Sequence, residues 1–143
     1  MKLELKHLSP YLPYRLKVSQ PRCGRMEAYL MYGFKYSNYA REWVVFIDDS
    51  RHGDYQSSYL KGVKPILRPL SDLTKEIEVK GEKFVPQDKM KYLDLEWLIN
   101  SDDLIMKTNY EDVLKLFEWH FDVFGLIEKN LAVSIHDVCQ ADA

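Results

Sequence analysis

The chain of 143 residues is long enough for one domain with its own hydrophobic core; 46% of its residues are hydrophobic and 29% are charged. These proportions are those of ordinary globular proteins, and they exclude disordered, collagen-like and coiled-coil chains. The net charge of −2 conceals a division: residues 1–70 carry twelve Lys and Arg against six Asp and Glu, whereas residues 71–143 carry eight against sixteen. Eight of the ten tyrosines also lie in the basic half. We therefore expect a single domain over residues 1–143 whose first half offers cations and aromatic rings to a partner.

The termini and cysteines indicate the compartment. The N-terminal segment Met1 to Leu8 alternates charged residues with leucine, so it lacks the uninterrupted apolar stretch of a signal peptide. The longest apolar run elsewhere, Trp43 to Ile47, is too short to cross a bilayer. Neither Cys23 nor Cys139 has a second thiol nearby that could complete a CxxC pair or a zinc knuckle. We expect a cytoplasmic protein with reduced thiols and no membrane association.

The first half alternates apolar and polar residues with a period of two, which predicts strands. Extended segments are expected at Leu3 to Leu5, at Leu12 to Val18 and at Leu30 to Tyr36. Turn residues at Ser37-Asn38 separate the last of these from Glu42 to Ile47, a β-branched and aromatic run that predicts a central strand. The economical arrangement is a meander of antiparallel strands.

The middle of the chain is punctuated by turn formers and prolines. Residues 48–58 predict an exposed loop. Val63 to Pro69 contains two prolines, each without a backbone donor, so we expect an extended connector and not an interior strand. Ser71 is expected to cap a short helix, and Lys80-Gly81 to form a turn before a brief strand over Lys83 to Pro86.

After Ser71 the period changes to 3.6, which predicts helices near Asp88 to Asn100 and over Asn109 to Phe124. In the second helix an advance of 100° per residue collects four polar residues in one solvent-facing stripe. These are Glu111, Lys115, Glu118 and Asp122. His120 falls on the opposite, apolar side, where we expect a neutral ring bonded to a backbone or hydroxyl group.

Gly125 is expected to end this helix, and a short strand through Leu131 to Ile135 to follow. Strands first and helices second is the order of an α+β fold. We expect an antiparallel sheet from the N-terminal half, packed against helices from the C-terminal half.

Cations and tyrosines interleave along the predicted strands, and they are the binding candidates. The residues are Arg22, Arg25, Tyr29, Tyr32, Lys35, Tyr36 and Arg41. A sheet that exposes them could stack nucleic-acid bases and neutralise phosphates. The alternative is that the tyrosines pack in the core while the cations are a solvated face, and a pI near 6.1 favours it over nucleic-acid binding.

An acidic segment supplies the enzymatic candidate. Asp48, Asp49, His52 and Asp54 follow a hydrophobic strand, and such oxygen and imidazole ligands would suit a divalent cation in phosphodiester hydrolysis. The same residues also build ordinary turns. Since the chain contains no glycine-rich phosphate loop, Gly-x-Ser-x-Gly elbow or cysteine beside a histidine, we expect no cofactor.

Three stretches carry a resemblance: Met1 to Tyr14, then Lys64 to Ile77 with Gly81 to Pro86, and Leu116 to Lys129. They resemble small proteins of unknown function that are encoded in Bacteroidetes genomes and in their phages or prophages. The resemblance implies a bacterial or phage setting and a cytoplasmic location, and it supplies no catalytic residue. Residues 23–61 lie outside it.

Together these features favour a non-catalytic binding or adaptor protein that acts through protein contacts or self-association. Single-stranded nucleic-acid binding through the tyrosine-rich strands is the alternative. Metal-dependent phosphodiester hydrolysis at the acidic segment is the third possibility.

Overall fold

The computed structural model describes residues 2–22, 25–49, 54–90 and 109–138. Four strands follow one another as antiparallel neighbours: β1 (Lys17–Arg22), β2 (Arg25–Ser37), β3 (Glu42–Asp49) and β4 (Asp54–Tyr59). The predicted meander is therefore confirmed. The turn at Ser37 is also confirmed, because the Ser37 hydroxyl accepts a hydrogen bond of 3.1 Å from the Ala40 N–H.

The prediction of an exposed loop over residues 48–58 is wrong where the structure describes these residues. Asp48 and Asp49 belong to β3 and residues 54–58 to β4, so within the described residues this segment is paired strand. Pairing with β3 satisfies the backbone N–H and C=O groups of this polar segment. The segment does not alternate between apolar and polar residues, so the sequence pattern did not indicate a strand. Residues 50–53 lie outside the described residues.

A 3₁₀ turn over Leu60–Gly62 leads from β4 into β5 (Lys64–Leu67). The connector predicted at Val63 to Pro69 is wrong, because β5 pairs antiparallel with β1 and parallel with the last strand of the chain. Pro65 is tolerated opposite Val18 because β5 pairs with β1 at two positions only, and burial of the segment offsets the missing donor.

Three short strands complete the β-structure. Strands β6 (Ile77–Val79) and β7 (Glu82–Phe84) form a separate hairpin, and β8 (Val133–Ser134) is the edge beside β5. The main sheet has the order β4-β3-β2-β1-β5-β8. The turn predicted at Lys80-Gly81 is confirmed: both residues have positive φ, 52° and 81°, as a type I′ hairpin turn requires.

The N-terminal segment is helical where extended chain was predicted. Helix α1 (Leu5–Leu8) continues as a 3₁₀ helix over Ser9–Tyr14 before β1 begins. Proline's fixed φ is compatible with this tight helix, which directs Tyr11 into the core with no exposed surface.

Two further 3₁₀ helices, Leu70–Thr74 and Pro86–Lys89, lie where helix starts were predicted. Pro69, not Ser71, holds the N-cap position of the first. The rest of the helix predicted near Asp88 to Asn100 lies outside the described residues beyond Met90.

Helix α2 (Tyr110–Glu118) begins where it was predicted, and the Asn109 side chain caps it by accepting a hydrogen bond of 2.9 Å from the Glu111 N–H. It ends before the predicted boundary at Phe124. After Glu118 the chain reverses direction in a Schellman motif. Helix α3 (Ile135–Val138) is the last helix described.

The Schellman motif is defined by two hydrogen bonds. The Phe121 N–H donates to the Leu116 carbonyl, and the His120 N–H donates to the Phe117 carbonyl. His120 holds the left-handed position, with φ of 62°, where glycine is usual. The predicted stripe therefore stops at Glu118.

The prediction that Asp122 lies in the solvent-facing stripe of the helix is wrong. It is 5% exposed, and its carboxylate accepts hydrogen bonds from the backbone N–H groups of Leu126 (2.7 Å) and Ile127 (3.0 Å). Asp122 therefore caps the turn after α2 from inside the protein.

The buried apolar side chains form one connected core between one face of the sheet and the helical segments. The sheet contributes residues of β1, β2 and β3: Val18, Tyr29, Met31, Val45 and Ile47. The helical segments and the chain after α2 contribute Leu8, Tyr11, Leu116, Phe117, Phe121 and Leu126. The fold is α+β, as predicted. No helix in the described ranges is long and apolar enough to cross a membrane.

Candidate binding site: an aromatic groove

Strand β2, which carries most of the candidate residues, reverses its facing halfway along. Tyr29 and Met31 are buried against the core. The register with β3 then shifts between Met31 and Gly33, as in a β-bulge. Beyond the shift Phe34 lies opposite the buried Val45, so even-numbered residues of β2 now face the core.

This bulge brings Lys35 to the same face as Tyr32. Lys35 lies opposite Val44, and Val44 shares its face of β3 with Phe46. The rings of Phe46 and Tyr32 have centroids 6.1 Å apart. Strict alternation would have placed Tyr32 and Lys35 on opposite faces.

The cavity beside the β2–β3 hairpin extends to β1 and to the turn after β4. Gln20 of β1 lies opposite Glu27, and a straight strand from Glu27 to Lys35 would span about 26 Å at roughly 3.3 Å per residue. Gln20 and Lys35 nevertheless line one cavity of about 810 Å³. Gly62, in the turn between β4 and β5, lines it too.

We call this cavity the aromatic groove. Its lining residues come from β1, from the β2–β3 hairpin and from the end of β4: Gln20, Lys35, Tyr36, Ser37, Asn38, Tyr39, Val44, Phe46, Tyr59 and Gly62. Four of them are aromatic. Lys35, Phe46 and Tyr59 lie on the side of the hairpin away from the core. Tyr36, two residues after Phe34, lies on the opposite side, at the end of the hairpin.

The tyrosines of the groove are unusually open to solvent. Tyr36 and Tyr59 are each 45% exposed, and Tyr39, in the hairpin turn, is 99% exposed. Tyr36 packs edge-to-face on Trp43 of the neighbouring strand, with centroids 5.6 Å apart and planes at 74°. This pair lies on the face of the hairpin that Phe34 and Val45 share, and Trp43 is not among the described residues that line the groove.

Charge in the groove is sparse. Among the described residues that line it, Lys35 carries the one charge, and there is no carboxylate. Arg41, exposed and with φ of 56°, lies in the same hairpin turn, next to Glu42. The groove is therefore mainly aromatic and hydrogen-bonding, with one cation at its edge.

The structure divides the predicted binding residues into three groups. Tyr32, Lys35, Tyr36 and Arg41 lie in or beside the groove and its hairpin. Tyr29 is 3% exposed and packs opposite Val18 in the core, which corrects its prediction as a binding residue. The backbones of Arg22 and Arg25 pair at the other end of the β1–β2 hairpin, and their side chains lie outside the described part of the chain.

Sequence reasoning missed several groove residues. Tyr59 directly follows the segment predicted as a loop, and Phe46 lies in the run predicted as a central strand. Tyr39 belongs to the tyrosines expected among the cations of the basic half, and its place beside a Ser-Asn turn is a signal of exposure. Gln20 and Gly62 could not be found, because the first lies on β1 and the second follows β4, a strand that the sequence pattern does not predict.

The acidic candidates occupy the β3–β4 hairpin. Asp48 is half-buried opposite Leu30, and Asp49 and Asp54 are backbone partners at the turn end of the hairpin. His52 and the side chains of Asp49 and Asp54 lie outside the described part. Within the described residues no three metal-ligating side chains come together. The metal site stays a prediction.

His120 has the backbone partner that its position predicts. Its Nε2 lies 2.6 Å from the Tyr14 carbonyl oxygen and so donates to it as an N–H. Burial lowers the pKa of His120, and the positive charges of Arg68, Lys17 and Lys80 lower it further. The ring is therefore neutral near pH 7 and stabilises the contact between the N-terminal helix and the end of α2.

A second cavity, of about 310 Å³, lies beside His120. Arg15, Arg68 and Lys80 line it together with Glu78 and Glu118. The Arg68 guanidinium is already bonded to the Trp119 carbonyl (3.1 Å) and the Glu78 carbonyl (3.2 Å). This mixture of bound and opposed charges makes it a weaker candidate than the aromatic groove.

No protein-family model, curated protein or solved structure matches the chain.

Proposed function

We propose that the chain is a non-catalytic binding or adaptor module that engages a protein partner through the aromatic groove. One observation carries the proposal: Tyr36, Tyr39 and Tyr59 are gathered at the surface with 45–99% of their area exposed. Tyrosine buries a large rigid surface at little entropic cost and keeps a hydroxyl for hydrogen bonding, so it is enriched at the energetic centres of protein interfaces.

The charge of the groove favours a protein over a nucleic acid. Nucleic-acid affinity is supplied largely by several Lys and Arg contacts to phosphates. The described lining holds Lys35 alone, and Asp48 lies on the same face of β3 as Phe46. Single-stranded nucleic acid remains the second candidate, because exposed rings beside a lysine could stack bases.

The remaining possibilities belong to the same proposal. We place the protein in the cytoplasm of a bacterial or phage-infected host, as its resemblance and composition favour. Self-association through the unequal charge of the two halves would make the partner a second copy. Metal-dependent hydrolysis at Asp48, Asp49, His52 and Asp54 is the enzymatic alternative.

The test is selection of peptides from a random displayed library on the purified chain. We expect enriched peptides whose affinity falls about tenfold or more in Tyr36→Ala and Tyr39→Ala, because truncating a central aromatic anchor costs at least about 1–2 kcal/mol. Tyr110→Ala is the matched control, since Tyr110 is 73% exposed at the start of α2 and lies outside the groove lining. Enriched peptides that bind all variants equally would contradict the proposal.

The alternatives have separate readouts. Labelled oligothymidylate should bind with an affinity that falls steeply with salt if nucleic acid is the ligand. Metal-dependent nuclease activity that disappears in Asp49→Ala would support the hydrolase. A solution mass above that of the monomer at low ionic strength, but not at high, would support self-association.

A further inference from the structure

The outer edge of β4 indicates how a partner is bound, an inference that rests on the proposed function. Among the described strands β4 has a neighbour on one side, because the order of the main sheet begins at β4 and continues with β3. The backbone N–H and C=O groups of a strand point alternately to its two sides, so an edge strand directs about half of them away from the sheet. The six residues of β4 (Asp54–Tyr59) therefore present a row of main-chain donors and acceptors.

The two edges of the main sheet are built differently. The opposite edge, β8, is two residues long and runs directly into α3, so it offers little backbone for further pairing. Strand β4 pairs with β3 at six consecutive positions without a register shift, and its sequence contains no proline, lysine or arginine. Exposed edges are commonly protected by shortness, bulges, prolines or lysines. Of the two edges, β4 is therefore the one suited to accept another strand.

The edge of β4 adjoins the aromatic groove. Tyr59, the last residue of β4, lines the groove and pairs with Val44 of β3. Beyond this pair β2 and β3 continue to their turn, where Ser37, Asn38 and Tyr39 line the groove. An extended segment that pairs with β4 and continues past Tyr59 would lie against these groove residues.

The backbone chemistry of an edge distinguishes between classes of ligand. Pairing with an edge requires a ligand that donates and accepts main-chain hydrogen bonds at alternate residues. A helix uses these groups internally, and a proline-rich segment lacks many of the N–H groups. An extended peptide supplies both kinds of group. We propose that β4 binds an extended segment of a partner protein as an added strand of the main sheet, and that this segment continues past Tyr59 into the aromatic groove.

The first experiment maps the backbone of the ligand. A peptide enriched on the full chain from the random displayed library is synthesised with one N-methyl group at each residue in turn, and each affinity is measured by fluorescence anisotropy. Where the peptide pairs with β4, N-methylation should weaken binding about tenfold or more at every second residue, because it removes a donor and places a methyl group against β4. The residues between them should tolerate it. Helical and polyproline II ligands have other periods, 3.6 and 3 residues per turn.

The second experiment changes the edge itself. Proline is tolerated in an edge strand where the lost N–H points away from the sheet. Since Gln56 and Ser57 are adjacent in β4, one of their N–H groups points toward β3 and the other away from it. We expect one of Gln56→Pro and Ser57→Pro to keep the wild-type unfolding midpoint and to bind the peptide about tenfold more weakly. Tyr110→Ala, outside β4 and the groove lining, should bind like the wild type. If neither proline variant folds, the N-methyl scan decides.

The outcomes separate this inference from the proposed function. N-methyl groups that are tolerated throughout, or at a period other than two, in a peptide that still depends on Tyr36 and Tyr39 would disprove the added strand and leave the groove as the binding site. A period of two in a peptide that binds Tyr36→Ala and Tyr39→Ala like the wild type would confine the ligand to the edge. The continuation into the groove and the proposed function would then both fail.

Two further results would also overturn the inference. A dimeric solution mass of the wild type that becomes monomeric in the folded proline variant would make a second copy of the chain the occupant of the edge. A selection that enriches no peptide would contradict both the added strand and the proposed function.

Discussion

The Tyr11 hydroxyl donates a hydrogen bond of 2.5 Å to the backbone carbonyl of Phe121, 110 residues further along the chain. Tyr11 has no exposed surface, and its oxygen also accepts a hydrogen bond of 3.4 Å from the Val123 N–H. One side chain of the N-terminal 3₁₀ helix thus satisfies two backbone groups of the turn after α2. This contact joins the two ends of the described chain in the interior.

Tyr11→Phe should destabilise the protein by about 1 kcal/mol, because one buried hydrogen bond is lost while the Phe121 carbonyl keeps its 2.9 Å bond from the Val123 N–H and packing is nearly unchanged. Chemical denaturation followed by circular dichroism measures the loss. Tyr39→Phe, at a fully exposed tyrosine, is the control and should change the stability by no more than about 0.5 kcal/mol. Equal stabilities of wild type and Tyr11→Phe would show that the bond contributes nothing.

The same tyrosine should make the protein sensitive to alkali. Burial raises the pKa of Tyr11 far above its ordinary value of 10.0, so folded Tyr11 stays protonated while the unfolded chain ionises. Stability from this group is complete below pH 10 and is lost as the pH rises above it, by about 1.4 kcal/mol at pH 11. The measurement is the difference in unfolding free energy between wild type and Tyr11→Phe at pH 8 and pH 11. A difference independent of pH would contradict this linkage.

At His120, glycine should be tolerated better than alanine. Both changes remove the hydrogen bond to the Tyr14 carbonyl, but glycine adopts a φ of 62° without the strain that alanine retains. We expect His120→Gly to be more stable than His120→Ala by about 1 kcal/mol, as measured by thermal and urea unfolding. The opposite order would mean that the left-handed position is not maintained.

Acid should also weaken the fold through His120. Because the pKa of the folded imidazole is lowered by burial, the unfolded chain binds the proton more readily. The stability contributed by the neutral ring is complete above the ordinary value of 6.5 and is lost as the pH falls below it. Urea midpoints at pH 8.0 and 5.5 should fall in the wild type more than in His120→Gly, and parallel curves would refute this assignment.

Asp122→Ala should cost about 2–3 kcal/mol, because the N–H groups of Leu126 and Ile127 would both lose a buried acceptor. Asp122→Asn keeps one acceptor oxygen and should cost less. Glu118→Ala, on the exposed side of α2, is the matched control and should change the stability little. Denaturant titration ranks the three variants by their free energy of unfolding. If Asp122→Ala loses as little stability as Glu118→Ala, the side chain of Asp122 faces solvent and does not cap the turn.

The sequence pattern predicted the structure correctly where residues close together in the chain determine it. Three predicted features depend on side chains within a few residues, and all three are present: the strand over Glu42 to Ile47, the turn at Ser37 and the turn at Lys80-Gly81. Helix α2 shows where this reasoning ends: its periodicity continues to Phe124, but its backbone stops at Glu118. Buried contacts of His120 and Asp122 override the pattern there.

The candidate site was predicted in part, because the sequence contains its tyrosines and Lys35 but not their arrangement. A pattern with period two assigns Tyr29 and Lys35 to one face of β2 and Tyr32 to the other. The bulge between Met31 and Gly33 reverses this assignment, so Tyr29 enters the core while Lys35 joins Tyr32.

By itself the sequence determined an α+β chain with a basic, tyrosine-rich sheet, because composition and periodicity are properties of adjacent residues. Only the tertiary structure decided which tyrosines reach the surface and what lies beside them. The physical reason is that one extra residue in a strand exchanges its faces, so pairing with β3, which no local pattern contains, decides that Lys35 lies beside Tyr32 and that Tyr29 is buried.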